Sequence, residues 1–151
     1  MTTMDTLEKP FELGFTYTRS TGPVIGRFLG ALAEHRILGV RGSDGRVLVP
    51  PPEFDPVTAA PLDEWVELGT EGVVLSWCWV AQPRASHPLQ EAFAWIMVQL
   101  DGADVPMIHC LRAPAMSALR SGARVRACWV AEPVGRITDL CCFELVEGGK
   151  A

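Results

Sequence analysis

Acid–base or nucleophilic chemistry in this 151-residue chain would have to come from three histidines, five cysteines and a few paired carboxylates. His109 directly precedes Cys110 inside the apolar run 105–111, which reads as a strand. Adjacent strand residues point to opposite faces, so this thiol and imidazole cannot converge on one reacting atom. His109 is expected as a structural or rim histidine. His35 falls near the end of a predicted helix, where a cation suits the dipole, and His87 lies in a proline-flanked loop. Cys141 and Cys142 also alternate along one strand and are expected as small fillers; no C-x-x-C motif occurs. Asp101 and Asp104 could bind a metal or act as acid and base, but they frame Gly102 and read as a turn. No Ser–His–Asp set is evident. The glycines from Gly39 to Gly45 are followed by no Lys-Ser/Thr, and the strand comes after them, so they do not form a phosphate loop. The chemistry-bearing residues therefore predict no catalytic site.

Binding is the remaining possibility. Arg112, Arg124, Arg126 and Arg136, with Arg120 among them, cluster in the last third of the chain. On one shared face they would suit a coenzyme A phosphate or an acidic partner; apart, they are solvated strand edges. Trp77 and Trp79 share a parity on one strand, and Phe93 and Trp95 on the next. Such aromatics can stack nucleic-acid bases, but the formal charge of −5 opposes non-specific binding to phosphate backbones, so core positions are expected. Five tryptophans against one tyrosine point the same way.

The elements that must position these residues follow from pattern. Hydrophobic residues make up 48% of the chain, enough for one domain with a core. Residues 1–9 lack the apolar run of a signal peptide, and no stretch approaches the roughly 20 apolar residues of a membrane span. The cysteines sit in apolar segments and read as buried free thiols, which fits a cytoplasmic protein. Residues 1–21 are expected as a flexible lead-in. Residues 22–38 read as one amphipathic helix, with Pro23 in its first turn and Val24, Phe28 and Leu32 along one stripe. Residues 39–63 form a glycine- and proline-rich arm around a short strand, Val47-Leu48-Val49. Residues 64–147 read as strands: 72–80, apolar on both faces, then 93–100 and 105–111. A short helix follows at 114–120, then strands at 124–131 and 136–146. In the last strand Ile137, Cys141, Phe143 and Leu145 share a face that Asp139 interrupts. Three strands, a short helix and two strands is the element order of the five-stranded OB-fold barrel; a sandwich of six or seven strands also fits the pattern.

Several segments, taken in order, resemble one family: Gly45-Arg46-Val47-Leu48-Val49-Pro50-Pro51, Gly72-Val73-Val74-Leu75-Ser76-Trp77, Leu100-Asp101-Gly102-Ala103-Asp104, Gly122-Ala123-Arg124-Val125-Arg126 and Ile137-Thr138-Asp139-Leu140. The family is that of zinc-ribbon plus OB-fold proteins associated with thiolases and lipid-transfer-type thiolases. The resemblance implies a mainly β chain: a five-stranded OB barrel preceded by an amphipathic helix and a rubredoxin-like ribbon arm. Family members place C-x-x-C-G before the ribbon strand and C-P-x-C after it, which together hold one tetrahedral zinc. Those four positions are Arg41, Asp44, Asp55 and Thr58 here. Arginine stays protonated and cannot ligate, and two aspartates with a threonine are a hard-oxygen set. A degenerate, metal-free arm is expected, with Arg41 free to pair with Asp44 or Asp55.

The resemblance further implies a non-catalytic accessory subunit. It would dock on a thiolase-like or lipid-transfer-thiolase-like partner and shape that partner's acyl-CoA site. The reaction would be C–C bond cleavage or formation on acyl-CoA thioesters, an aldolase or acyltransferase step of lipid, steroid or polyketide-type metabolism. A hydratase-type partner is a further option. No cofactor is expected, with a coenzyme A thioester as a possible ligand. The expected assembly is a hetero-oligomer, or a homodimer alone, without membrane contact. Docking candidates are Val24, Phe28, Leu32, Val47, Val49 and Pro51. Two alternatives remain: a stand-alone acyl-CoA-binding OB module and a single-stranded nucleic-acid-binding OB protein.

Overall fold

The computed structural model of the chain describes residues 9–16 and 20–146. The lead-in expected over 1–21 falls partly outside them; residues 9–16 are exposed and form neither helix nor strand.

Helix α1 spans Gly22–Ala33, with Pro23 in its first turn and Val24, Phe28, Ala31 and Leu32 buried along one face. It stops short of the expected residue 38 because His35 takes a left-handed conformation, φ 58°. The N–H groups of His35 and Arg36 then donate to the carbonyls of Leu32 and Ala31, which closes the helix end. Glycine usually holds that position, so the stop was hidden behind a histidine. Ile37 and Leu38, which prolonged the apolar pattern, open strand β1 (Ile37–Arg41) instead.

Strand β1 is the centre of a three-stranded antiparallel sheet, between β2 (Val47–Leu48) and β3 (Trp65–Leu68). Its register pairs Ile37 with Leu68 and Arg41 with Val47. The arm therefore reaches beyond the expected 39–63: β3 belongs to its sheet and not to the barrel.

The barrel consists of β4 (Glu71–Val80), β5 (Phe93–Leu100), β6 (Met107–Arg112), β7 (Arg124–Trp129) and β8 (Leu140–Leu145). It closes in the order β4-β5-β6-β8-β7, with β7 returning to β4. Only β6 and β8 run parallel, with Leu111 opposite Phe143. A 3-10 turn at Met116–Ala118 stands where the short helix was expected. This is the OB-fold topology. Gly72 lets β4 approach β5 closely: a Cβ there would lie 2.5 Å from the Gln99 carbonyl oxygen.

Two strand readings change. Strand β4 is not buried on both faces: a bulge between Val74 and Ser76 leaves Leu75 outside, and Ser76 and Cys78 are exposed too. The last strand starts only at Leu140, because Ile137–Asp139 form a 3-10 turn. Asp139 does not interrupt an apolar face. It is 1% exposed, and its carboxylate accepts the N–H groups of Val134, Gly135 and Arg136.

One apolar core joins all three parts. Phe28 and Leu32 of the helix and Val47 and Val49 of the arm pack in the same cluster as Ile96, Leu111 and Phe143 of the barrel. A smaller cluster of Phe93, Cys110 and Cys142 lies apart from it, with Leu89 of the 81–92 loop packed against it.

Candidate functional site

The ribbon arm is where family chemistry would sit, and the structure shows what its ligand positions do. Asp55 is 3% exposed. One of its oxygens accepts the N–H of Ser43 at 2.6 Å, and the other accepts those of Val57 at 2.7 Å and Thr58 at 2.9 Å. The Ser43 hydroxyl adds a fourth contact at 3.2 Å. One carboxylate thus ties the turn at 42–45 to the turn at 55–58. The Ser43 and Thr58 N–H groups, against the cost of burial and with help from Val57, hold the Asp55 carboxyl far below the usual carboxylate range. Asp44 bonds instead to the backbone and guanidinium of Arg46. Contrary to the expected pairing with Asp44 or Asp55, Arg41 pairs with Glu64 at 2.7 Å and donates to the Gly45 carbonyl at 2.9 Å. Thr58 Oγ1 accepts from Ala60 N–H. A carboxylate whose lone pairs face amide donors, beside a guanidinium, a second engaged carboxylate and a hydroxyl, does not fit a zinc ion. Among the described residues no other cluster of His, Cys, Asp and Glu could hold a metal.

The Asp101–Asp104 pair is a structural junction. Arg124 Nη1 and Nη2 each reach Asp101 at 2.7 Å, and Nη2 also reaches Glu71 at 2.9 Å. The Arg124 hydrogen bond lowers the Asp101 carboxyl below its ordinary value despite some burial. Asp104 accepts the Val47 N–H at 2.8 Å, and its own N–H donates to the Val47 carbonyl at 2.9 Å. This turn therefore clamps the edge of the arm to the barrel. Neither carboxylate is placed for acid–base work.

Strand parity does not part His109 and Cys110 as expected: the imidazole Nδ1 bends back to within 3.6 Å of the Cys110 Sγ. The imidazole packs edge-on against Phe143, and burial lowers its basicity. Cys110 lies in the outer cluster, donates to the Cys141 carbonyl at 3.3 Å, and is pushed up to about 11 by burial. Burial, with Cys128 and Cys141 nearby, also raises the Cys142 thiol. Thiols shifted upward are poor nucleophiles at neutral pH. All five cysteines are free. The expectation that all are buried fails for Cys78, which the β4 bulge carries to the exposed face, while Cys128 and Cys141 are half-buried. His35 stacks on Trp129 at 5.1 Å, and His87 meets Phe93 edge-on. Trp77 and Trp79 are half-buried and pack against the main core.

The four arginines do not form one patch. Arg112 and Arg126 flank Glu144 in register across β6, β8 and β7. Arg126 approaches Glu144 to 3.7 Å, and Arg124 is held by Asp101 and Glu71. Arg136 stands away from them, in a groove beside α1. Interleaved carboxylates leave little net positive field for a phosphate.

The docking candidates Val24, Phe28, Leu32, Val47, Val49 and Pro51 are all buried in the chain's own core, none more than 9% exposed among the first five. The apolar stripe identified the face that packs inward. Apolar surface is left over on other residues. Phe54 and Val57 of the arm are 55% and 64% exposed. Phe54 borders a groove of about 450 Å³ with Pro23, Pro61, Leu62 and Trp65. Arg27 lies over the Trp65 ring at 4.5 Å. Sequence periodicity could not find these residues, because they sit in loops.

Residues 65–130 match the family model of the ChsH2 C-terminal OB-fold domain. The match begins at Trp65, on β3, and ends just beyond β7. No curated protein matches the chain in sequence. Among solved structures, a chain of the Ltp2–ChsH2(DUF35) aldolase is similar at TM-score 0.62 and 16% identity, covering 85% of this chain and 98% of that one. A DUF35-family protein of unknown function from Sulfolobus solfataricus is similar at TM-score 0.59 and 16% identity, covering 83% and 85%. The shared fold thus takes in the helix and arm as well as the barrel, and residues 65–130 are similar to the ChsH2 C-terminal OB-fold domain.

Proposed function

We propose that this chain is a non-catalytic accessory subunit that docks on a thiolase-like or lipid-transfer-thiolase-like partner and shapes its acyl-CoA site. The match of residues 65–130 to the ChsH2 OB-fold domain carries the reading. Likeness to a chain of the Ltp2–ChsH2(DUF35) aldolase supports it, since that neighbour is named as one part of an enzyme with a second component. The chemistry of the chain supports it too. The thiols of Cys110, Cys128 and Cys142 are raised, His109 is buried, and Asp55, Asp101, Asp104 and Asp139 are bound in structural hydrogen bonds. In this reading the partner supplies the reacting groups for C–C bond cleavage or formation beside a thioester. The exposed arm residues Phe54 and Val57 supply the contact.

The test is co-purification from native-host cells, followed by turnover assays on acyl-CoA. A thiolase-like subunit should be retained by the wild-type chain and lost on Phe54→Asp with Val57→Asp, while far-UV circular dichroism stays unchanged. The chain alone should cleave or condense no acyl-CoA. Robust turnover by the isolated chain, or retention of the partner by the double variant, would sink the proposal.

A further inference from the structure

An apolar groove of about 530 Å³ runs between α1 and the 3-10 turn at Ile137–Asp139. Phe28, 2% exposed, forms its floor. Ile25 and Leu29 line the helix side, Pro50 and Ile137 the other, and Ile137 is 44% exposed. Arg136 stands on its rim and is exposed. The same chain carries Phe11, Leu13 and Phe15 just ahead of α1, exposed at 84%, 67% and 76%. Single apolar residues on a surface are ordinary, but three large ones at alternate positions form a stripe without a counterpart.

We propose that the segment 11–15 closes over this groove as an intramolecular strap, with Phe11, Leu13 and Phe15 turned into it. In extended backbone alternate side chains share an edge, so the three point one way while Glu12 and Gly14 point the other. The tether is long enough. Residues 16–21 span up to about 20 Å when extended, whereas Ile25 and Leu29 lie about 6 Å apart along the helix axis. A tether this short holds the strap at an effective concentration of about a millimolar, well above a second copy at micromolar concentration.

Charge selects between the two mainly apolar grooves that flank α1. Glu12 is the charged residue within the strap. Arg136 can meet it over the rim, because Asp139, the carboxylate that feels the Arg136 charge, is already engaged by three backbone N–H groups. The other groove, at Phe54 and Trp65, carries Glu53 on its wall, and its cation, Arg27, already lies over the Trp65 ring, so it offers Glu12 no unopposed positive charge. The strap leaves Phe54 and Val57 uncovered, so it stands independently of partner docking on the arm.

Photo-crosslinking of the full chain tests this. Phe15 is replaced by p-benzoylphenylalanine, and an equimolar mixture of nitrogen-14 and nitrogen-15 protein is irradiated at micromolar concentration. Cross-links should map to peptides containing Ile25 and Leu29 or Ile137 and Thr138, within chains of one isotope. Isotopically mixed links, meaning a second copy's strap, overturn the proposal, as do links elsewhere or none. As an independent readout, the Ile25 and Ile137 methyl resonances should shift in a Phe11→Ser, Phe15→Ser double variant, with Val98 and other barrel methyls unmoved. Unmoved Ile25 and Ile137 methyls would equally overturn it.

Discussion

The barrel and the arm are both small β-structures that share one core, yet different forces hold them. In the barrel, Val74, Ile96, Val98, Leu111, Val125 and Phe143 are each 1% exposed or less, and the sheet closes on itself. Its order rests on area removed from water, which is non-directional and indifferent to pH. In the arm, β2 has two residues, and the turns on either side of it are tied by one carboxylate. That order is directional and charged. The contrast teaches how a ribbon persists without thiolate ligands: Asp55 gathers backbone N–H groups from both turns, and the arm's remaining apolar residues borrow the core of the barrel.

The largest effect should come from the barrel. Phe143→Ala removes a fully buried ring and should cost about 3–5 kcal/mol of global stability, read by urea unfolding. A loss confined to the arm would break the comparison. Next, Asp55→Ala should speed amide exchange at Ser43, Val57 and Thr58 by about tenfold while Ile96 and Leu111 keep their protection. Uniform acceleration through the barrel would show that the two regions unfold as one.

Acid sharpens the same contrast. Amide hydrogen bonds outweigh burial at both Asp55 and Asp139 and depress their folded-state acidities below the usual value of about 3.9. Their stabilisation is complete above that value and is lost as pH falls through the depressed native one. Between pH 5 and pH 2, exchange protection should therefore fade at the arm turns and at Val134–Arg136 before the barrel strands. Asp55→Ala should abolish the arm's share of that response. The smallest effect belongs to Arg41→Glu. Its ion pair with Glu64 is exposed at 38% and 64%, so thermal unfolding should register about 0.5 kcal/mol or less.

Much of this architecture was legible in the chain. Strand β5 was readable to the residue, because a polar loop precedes Phe93 and the Asp101-Gly102 turn follows Leu100. Strand β1 was not, since Ile37 and Leu38 extend the helix periodicity and the left-handed stop is a histidine. Strand β3 looked like barrel because it sits two residues before β4, and only its pairing with β1 assigns it elsewhere. At the site, the replaced ligand positions could be named from sequence, but the role of Asp55 could not. A ligand count asks what binds a cation, whereas this carboxylate accepts from amides. The pattern Asp55-Pro56-Val57-Thr58 is a side-chain-capped turn signal, and reading it that way would have found the staple. The docking stripe failed for a plainer reason: helix periodicity locates the inward face, and leftover surface lies in loops.

The parallel pairing of β6 with β8 has a consequence for synthesis. Leu111 waits for Phe143, and β7 finds its second neighbour only in β8. The barrel thus cannot close until the ribosome has released residue 145, well after the β1–β3 sheet has all of its strands. Such late, distant contacts slow folding. During that interval the arm has local partners, while β4 and β5 present an open hairpin, the nascent species most in need of a chaperone.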